Sequence, residues 1–250
     1  MPRLLVIPAA GLGSRLGSTL PKVLVPVAGV PMLDRILDLY RGVADRIVVV
    51  THPAFAGEVE RHARAHRDAR RIECVVQPAP TGMLDAILLA LPAADREQPS
   101  SVWITWCDQV AVHARTIERL AALTPAEAHP ALVMPTVVRE RPYIHLERDA
   151  SGRIARVLHR REGDAMPAAG ESDMGLFALS ADAFSRHLPV YAKEVEIGHT
   201  TGERNFLPFI PWIARTEPVQ TFACEDPMEA VGVNTPEELT LVEDYLSRSG

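Results

Sequence analysis

The chain has 250 residues, a formal net charge of −6 and a hydrophobic content of 47%, which is enough to build a core without disulfide or metal staples. Its mild acidity argues against a general nucleic-acid-binding protein, and its three widely spaced cysteines exclude a disulfide scaffold and a zinc ribbon. Because it has neither an apolar run long enough for a membrane span nor a signal-peptide pattern, we expect a cytoplasmic protein with no membrane or nucleic-acid partner.

Five short apolar runs in the first half predict buried β-strands. They lie at residues 3–8, 45–51, 71–77, 101–106 and 131–137. Helical patterns separate them at residues 32–43, 54–67, 82–91 and 114–123. Continuous β-branched runs are typical of a parallel sheet that is covered on both faces. The alternation of strand and helix therefore predicts an α/β fold.

The pattern changes after residue 138. Residues 143–148 and 153–159 flank Asp149-Ala150-Ser151-Gly152, which predicts a β-hairpin, and residues 174–179 predict another buried strand. Residues 190–204 are polar and typical of a loop, and residues 205–214 are partly helical. A closing helix is predicted over residues 236–247, with Thr235 as N-cap and Glu238 completing a capping box.

A glycine-rich stretch, Ala9-Ala10-Gly11-Leu12-Gly13-Ser14-Arg15, directly follows the first predicted strand. Gly11 and Gly13 allow a tight turn that brings backbone N–H groups close to a phosphate. Arg15 and Lys22 can offset the charge of a polyphosphate. Only Lys22 and Lys193 among the 26 basic residues are lysines, which draws attention to Lys22.

Two phosphate-binding motifs are excluded by spacing. A Walker loop needs Gly-Lys-Ser/Thr, which does not occur in the sequence. A dinucleotide fingerprint needs its third glycine one place before Gly17, and an acidic residue where Thr51-His52 stand. A purely structural turn stays open as the alternative for an isolated Gly-x-Gly.

The glycine loop followed by Pro21-Lys22 resembles the signature of nucleotidyltransferases that activate sugar phosphates. Residues 21–32 are especially similar to the uridylyltransferase domain of N-acetylglucosamine-1-phosphate uridylyltransferase. The resemblance implies a three-layer Rossmann-like fold of the MobA-like NTP transferase type, with a mixed, mostly parallel sheet, helices on both faces and a small acceptor-binding β-lobe. It implies one domain over residues 1–250, with a nucleotide-binding half (1–138), an acceptor-binding half (139–235) and a closing helix (236–250).

The same resemblance implies roles for individual residues. The catalytic pair would be Arg15 and Lys22. The nucleotide would be held by Ala9, Ala10, Gly11, Gly13, Ser14, Gln77 and Gly82. The acceptor would be bound by Asp173, Glu203 and Arg161. Asp108 and Asn234 would ligate Mg²⁺, and Asp108 follows a predicted strand at the end where open α/β sheets bind ligands.

The sequence departs from the family pattern mainly in the acceptor half. Asp173 stands where the family has Asn, His159 where a Glu is usual, and Arg161 where a Lys is usual. In the nucleotide half, Met83 replaces a Thr. These departures predict that the reaction is kept and the acceptor is changed.

We therefore expect an Mg²⁺-dependent enzyme that joins a pyrimidine nucleoside triphosphate, with UTP favoured, to a sugar 1-phosphate or similar phosphate. The alternatives are a cytidylyltransferase for a polyol phosphate, cyclitol phosphate or phosphonate, a non-catalytic nucleotide-binding module and, as the weakest, a dehydrogenase. The sequence predicts no oligomeric state.

Three further features have simpler interpretations. His62 and His66 are predicted to lie on a solvated helix rather than in a metal site. Asp85 is interpreted as an acidic residue on the surface of a helix. A basic group is equally consistent with a site for the acceptor phosphate and with surface charge; it consists of Arg153, Arg156, His159, Arg160 and Arg161.

Overall fold

The computed structural model describes residues 2–11, 13–125 and 129–249. Its strands are β1 (Arg3–Ala9), β2 (Pro26–Val27), β3 (Val30–Pro31), β4 (Arg46–Thr51), β5 (Ile72–Val76), β6 (Ser101–Thr105), β7 (Leu132–Glu140), β8 (Ile144–Arg148), β9 (Ile154–His159), β10 (Ala169–Asp173), β11 (Leu176–Ser180) and β12 (Val219–Ala223). Its α-helices are α1 (Met32–Leu39), α2 (Ala56–Ala65), α3 (Met83–Leu88), α4 (Leu91–Glu97), α5 (Ala114–Ala122), α6 (Leu188–Glu194), α7 (Phe209–Ile213) and α8 (Pro236–Ser249).

The central sheet has the strand order β10-β7-β11-β6-β1-β4-β5, and β12 also pairs with β7. Strands β6, β1, β4 and β5 are parallel, whereas β11 runs antiparallel to β6 and β7. The hairpin β8–β9 and the short pair β2–β3 form two small separate sheets. This is the mixed, mostly parallel sheet with a small β-lobe that the resemblance implied.

The two faces of the sheet support two separate hydrophobic clusters. Alternate residues of β1 divide between them: Leu5 and Ile7 join the cluster that includes residues of α1, α2, α5 and α8. Leu4 and Val6 join the cluster with residues of α3, α4, α6 and α7. Because successive strand residues point to opposite faces, this division shows helices packed on both sides of the sheet. The predicted three-layer α/β fold is confirmed.

Local predictions are largely confirmed, with boundaries moved by one to a few residues. The capping box is present, because Glu238 N–H donates to Thr235 Oγ1 (3.2 Å) and Thr235 N–H donates to Glu238 Oε2 (3.1 Å). The β8–β9 hairpin turns at Gly152, whose φ is +85°. Among the described residues, no helix is long and apolar enough to cross a membrane.

Several stretches differ from the expectation. The predicted loop over residues 190–204 is wrong in its first part, because α6 occupies Leu188–Glu194 and buries Leu188 and Tyr191, three residues apart. Strands β10 and β12 and helix α4 were not expected, since the sequences of β10 (AGESD) and α4 (LPAADRE) contain few large apolar residues. Their burial depends on neighbouring elements, which the local pattern does not show.

Candidate functional site

The candidate site lies at the carboxyl edge of the parallel strands. The glycine loop leaves β1 here, Asp108 follows β6, and Gln77 follows β5. Strand β11 starts at the same edge, since Leu176 pairs with Thr105, and Trp106 N–H donates to Gly175 O (2.8 Å). The topology therefore brings the predicted nucleotide-binding residues and Asp173 to the same edge of the sheet, at the carboxyl ends of its parallel strands.

Lys22 lies between the two predicted metal ligands. Its ammonium donates to Asp108 Oδ2 (2.5 Å) and to Asn234 Oδ1 (2.7 Å). The Lys22 and Asp108 side chains are only 11% and 13% exposed. Val233 N–H donates to the Asp108 carbonyl (3.2 Å), which joins the two segments directly. Lys22 is 86 positions from Asp108 and 212 positions from Asn234 in the sequence, and the three residues form one compact cluster in the fold.

Two opposing effects act on the Lys22 ammonium. Burial alone would lower its pKa, but attraction to Asp108 and their hydrogen bond outweigh burial, so the pKa of Lys22 lies above its usual value. Lys22 is therefore a permanent cation at neutral pH. The neighbouring Cys107 is neutral, because burial raises the pKa of its thiol to about 11.

The glycine loop packs against Lys22. A Cβ at Gly13, whose φ is +63°, would lie 2.7 Å from Lys22 Cβ, so a glycine is needed at this position. Gly11 is different, because a Cβ there would meet no atom within 4 Å and its backbone does not require glycine. Ala9 is buried, Ala10 is half-buried and Arg15 is exposed. Ser14 begins a short 3-10 turn, Ser14–Leu16, and its side chain lies outside the described part of the structure.

The residues present fit a divalent cation. Asp108 Oδ1 is buried and accepts no hydrogen bond from the described residues. A Cβ at Gly232 would lie 3.2 Å from the Asp108 carboxyl carbon and 3.3 Å from Asn234 Nδ2, so both side chains close around this glycine. A carboxylate and an amide oxygen that already share one cation are ligands of the type that Mg²⁺ prefers. The described residues contain no cluster of three or more His, Cys, Asp or Glu side chains that could hold a metal.

Gln77 and Gly82 form the other side of the nucleotide region. Gln77 is 6% exposed, and its Nε2 donates to the Gly82 carbonyl (3.0 Å). Gly82 has a φ of +121°, and a Cβ there would lie 2.5 Å from the backbone nitrogen of Arg204. Arg204 N–H donates to Thr81 O (2.8 Å), and Leu84 N–H donates to Arg204 O (3.1 Å). The predicted nucleotide segment is therefore bonded to the predicted acceptor segment.

The arrangement of Asp85 corrects its interpretation as a helix-surface acid. Asp85 Oδ1 accepts a hydrogen bond from the Arg204 guanidinium (2.6 Å), and Arg204 also donates to the Ala192 carbonyl. The Asp85 side chain is 19% exposed. The Asp85–Arg204 ion pair thus adds a side-chain contact to the backbone hydrogen bonds beside Gly82. The two residues are 119 positions apart, so no local sequence pattern indicates the contact.

The predicted acceptor residues are divided between two places. Arg161 and Glu203 form a loose, exposed pair with atoms 3.9 Å apart. Asp173 is buried, and its Oδ1 accepts the Gly175 N–H (2.7 Å). Burial raises the pKa of Asp173 to about 6, against the hydrogen bond from Gly175 and the attraction of Arg139. No hydrogen bond or ion pair among the described residues joins Asp173 to the other two.

The basic group on and around β9 is mostly occupied by protein partners. Arg153 pairs with Asp149 and Arg156 with Glu147, while Arg160 donates to the carbonyls of Arg141 and Pro142. These contacts favour surface charge over a phosphate site, leaving Arg161 as the loosely held member. Burial lowers the pKa of the adjacent His159, whose Nδ1 lies 3.0 Å from Asn205 Nδ2, and so favours the neutral form of this histidine. The prediction of a solvated helix that carries both His62 and His66 is only partly right. His62 lies on α2 and its Nε2 contacts Asp34 Oδ1 (2.6 Å), whereas His66 follows the end of the helix and its side chain is only 10% exposed.

One buried acid near the site was missed by sequence reasoning. Glu229 is 0% exposed and lies five residues before Asn234 in the short 3-10 turn Pro227–Ala230. Its carboxylate accepts hydrogen bonds from His113 and Thr116, more than 110 positions away. The only available signal was an isolated acid inside the largely apolar stretch 227–233.

Comparison with known proteins decides the family. The MobA-like NTP transferase domain matches residues 5–173. The chain belongs to this family. The predicted family and the nucleotidyltransferase class are therefore confirmed, and the Mg²⁺ dependence stays a prediction.

Curated relatives of this MobA-like domain cover nearly the whole chain. Bifunctional protein GlmU of Cupriavidus necator is 32% identical over an alignment of 244 residues that covers 96% of this chain and 51% of the relative. GlmU of Cupriavidus pinatubonensis is 32% identical over an alignment of 256 positions, and GlmU of Pseudomonas entomophila is 29% identical over an alignment of 251 positions. Each alignment covers 98% of this chain and 52% of the relative. The chain thus spans about half the length of these relatives.

Proposed function

We propose that this domain joins a pyrimidine nucleoside triphosphate, with UTP favoured, to a sugar 1-phosphate or a similar phosphorylated acceptor and releases pyrophosphate. The observation that carries the proposal is the convergence of Lys22, Asp108 and Asn234 beside the glycine loop. A cation and a pair of oxygen ligands at one point suit a reaction in which charge spreads over phosphoryl oxygens.

In the proposed reaction, an acceptor phosphate oxygen forms a bond to the α-phosphorus, and the bond from that phosphorus to the bridging oxygen of the β-phosphate breaks. Pyrophosphate takes the electron pair of the broken bond. The acceptor phosphate is already anionic at neutral pH, so the protein need not supply a general base. Its task is to position the two substrates and to stabilise the developing charge.

Each part of the site has a role in that task. The glycine loop and Arg15 would bind the triphosphate, and Lys22 would donate to its oxygens. Gln77 is held by its bond to Gly82, which leaves its carboxamide oxygen to accept from the N3–H of uracil or the amino group of cytosine. Asp108 and Asn234 would hold Mg²⁺, which would supply positive charge to the phosphate oxygens when bound.

The acceptor half favours a substrate other than N-acetylglucosamine 1-phosphate. Asp173 places a buried carboxyl group where the family has a carboxamide. A carboxamide both donates and accepts hydrogen bonds, whereas an ionised carboxylate accepts them and donates none. The loosely paired Arg161 remains available to a second anionic group of the acceptor. These features keep open a cytidylyltransferase for a polyol phosphate, a cyclitol phosphate or a phosphonate.

A substrate panel tests the proposal. UTP, CTP, dTTP and GTP are each combined with N-acetylglucosamine 1-phosphate, glucose 1-phosphate, a polyol phosphate, a cyclitol phosphate and a phosphonate, with Mg²⁺ present. Pyrophosphate release is measured, with Asp108→Asn as the matched inactive variant. We expect acceptor-dependent release with a pyrimidine nucleotide that the variant loses. Nucleotide binding without release from any pair would instead identify a non-catalytic binding module.

A further inference from the structure

The segments that carry Asp108 and Asn234 are joined by the hydrogen bond from Val233 N–H to the Asp108 carbonyl, and they are joined a second time through Glu229. Asp108 lies five residues before His113, and Asn234 lies five residues after Glu229. Glu229 Oε2 accepts hydrogen bonds from His113 N–H (2.8 Å) and from the Thr116 hydroxyl (2.5 Å). Asp108 and Asn234 are therefore each five residues along the chain from the junction between His113 and the Glu229 carboxylate.

The second carboxylate oxygen is surrounded as well. Glu229 Oε1 lies 3.2 Å from His113 Nδ1, accepts a hydrogen bond from the Cys224 thiol (3.4 Å) and lies 3.9 Å from the Arg115 guanidinium. A fully buried carboxylate is costly unless such partners satisfy it. Because its partners come from both segments, the carboxylate ties the segments together rather than stabilising either one alone.

This junction is anchored to the closing helix. His113 Nε2 lies 2.6 Å from the Tyr245 hydroxyl of α8, and that hydroxyl donates to Asp226 Oδ2 (2.7 Å). Asp226 Oδ1 in turn accepts the Met228 N–H (2.9 Å) and caps the turn that holds Glu229. The helix thus contacts both segments, so sliding of one past the other would break several hydrogen bonds at once.

We propose that Glu229 is a positioning residue that holds Asp108 and Asn234 at the separation at which their oxygens can share one divalent cation. The inference rests on the proposed function. Mg²⁺ and Mn²⁺ bind oxygen ligands at short, well-defined distances, so a small change in the spacing of two ligands weakens binding. Changing groups that orient metal ligands typically costs about 10–100-fold in metal affinity.

The test compares two buried threonines near opposite ends of α5, together with Glu229→Gln. Thr116→Val removes one hydrogen bond to Glu229, whereas Thr124→Val removes bonds from a hydroxyl to the Leu120 and Ala121 carbonyls only. Both threonines are buried, at 6% and 2% exposure, so the two replacements perturb the core to a similar degree. Mn²⁺ alone is titrated into each protein, and the free ion is counted by electron paramagnetic resonance, both in the wild-type background and with Lys22→Met.

We expect Glu229→Gln to weaken Mn²⁺ binding by about 10–100-fold and Thr116→Val to weaken it less, while Thr124→Val stays within about twofold of its parent. Thermal melts of all variants show whether the loss follows stability. Equal Mn²⁺ affinity in the Thr116 and Thr124 variants, or a loss that tracks melting temperature in all of them, overturns the inference. If Glu229→Gln does not fold, the threonine pair decides.

The proposed function is judged separately, by pyrophosphate release from the wild-type protein. A wild type that binds Mn²⁺ in a Glu229-dependent way but transfers no nucleotide defeats the proposed function and supports the positioning role. A protein that binds no Mn²⁺ in either background overturns the positioning role, because there is then no shared ion to position.

Discussion

The ammonium of Lys22 lies 2.5 Å from Asp108 Oδ2 and fills the space between that carboxylate and Asn234. One side chain that the sequence assigns to the triphosphate is therefore in contact with the pair that it assigns to the metal. Because like charges repel strongly in a partly buried site, a divalent cation and the ammonium compete for these oxygens. Binding of the substrates would draw Lys22 toward the phosphates and leave the oxygens to the metal.

Replacing Lys22 by Met tests this competition. Methionine keeps the length of the side chain and removes the charge, so Mn²⁺ binding to the substrate-free protein should tighten by about tenfold or more. Pyrophosphate release should fall by about 100-fold or more, because the cation that stabilises the phosphoryl oxygens is lost. Electron paramagnetic resonance measures the first effect and a pyrophosphate assay the second.

The other lysine of the chain is the matched control. Lys193 is exposed in the last turn of α6, and Lys193→Met should leave both measurements within about twofold of wild type. Unchanged Mn²⁺ affinity in Lys22→Met would show that the ammonium does not hinder the ion.

Gly82 couples the nucleotide segment to the acceptor segment. A methyl group there would lie 2.5 Å from Arg204 N, at a φ of +121° that L-residues rarely adopt. Gly82→Ala should therefore destabilise the protein by about 2–4 kcal/mol and raise the KM values of both substrates. The comparison is Gly152→Ala, which has a φ of +85° but no atom within 4 Å of its Cβ. Its cost should be about 1–2 kcal/mol without an effect on KM.

Urea unfolding and steady-state kinetics on the two glycine variants separate strain from steric contact. A Gly82→Ala protein that loses no more stability than Gly152→Ala would show that the 204 segment can shift away. In that case the two substrate segments are not rigidly joined.

The sequence predicted the parts of this protein that depend on local pattern and failed where distant segments meet. The glycine loop, Asp108 and the capping box at Thr235 could be recognised because spacing and burial are visible in a short window. The Asp85–Arg204 and Glu229–His113 contacts could not, because they join residues 119 and 116 positions apart. Edge strand β10 could not be predicted for the same reason, because its local sequence, AGESD, does not indicate that it pairs with β7.

Gln77 is expected to select the base. Its carboxamide is oriented by the bond from Nε2 to Gly82 O, so its oxygen has a defined direction. Gln77→Leu removes both hydrogen-bonding groups at similar size and should lower kcat/KM for the preferred pyrimidine nucleotide by about 100-fold or more. The preference over GTP should shrink in parallel. Gln220→Leu on the exposed side of β12 is the control and should change neither value.

Competition assays with mixed nucleotides measure this selectivity directly. A Gln77→Leu enzyme with a lower rate but an unchanged ratio between UTP and GTP would contradict base recognition by Gln77. It would leave the residue only the task of supporting Gly82.

We expect Asp173 to make the stability of the protein depend on pH. Burial raises its pKa to about 6, whereas an unfolded chain has an Asp pKa near its usual value of about 3.9. Between these two pH values the folded protein binds more protons than the unfolded chain, so the free energy of unfolding falls as pH rises. The contribution is complete below about pH 4 and is lost by the time the pH has passed about 6 to 7.

Asp173→Asn removes this titration and keeps the acceptor oxygen for Gly175 N–H. Since about two pKa units correspond to roughly 3 kcal/mol, the variant should be more stable than wild type by up to about that amount at pH 8, and the gain should shrink toward pH 4. Urea unfolding at several pH values measures the difference, with the surface variant Asp95→Asn as control. A stability gain that is the same at pH 4.5 and pH 8 would show that Asp173 is ionised across this range and that the amide stabilises the fold by another route.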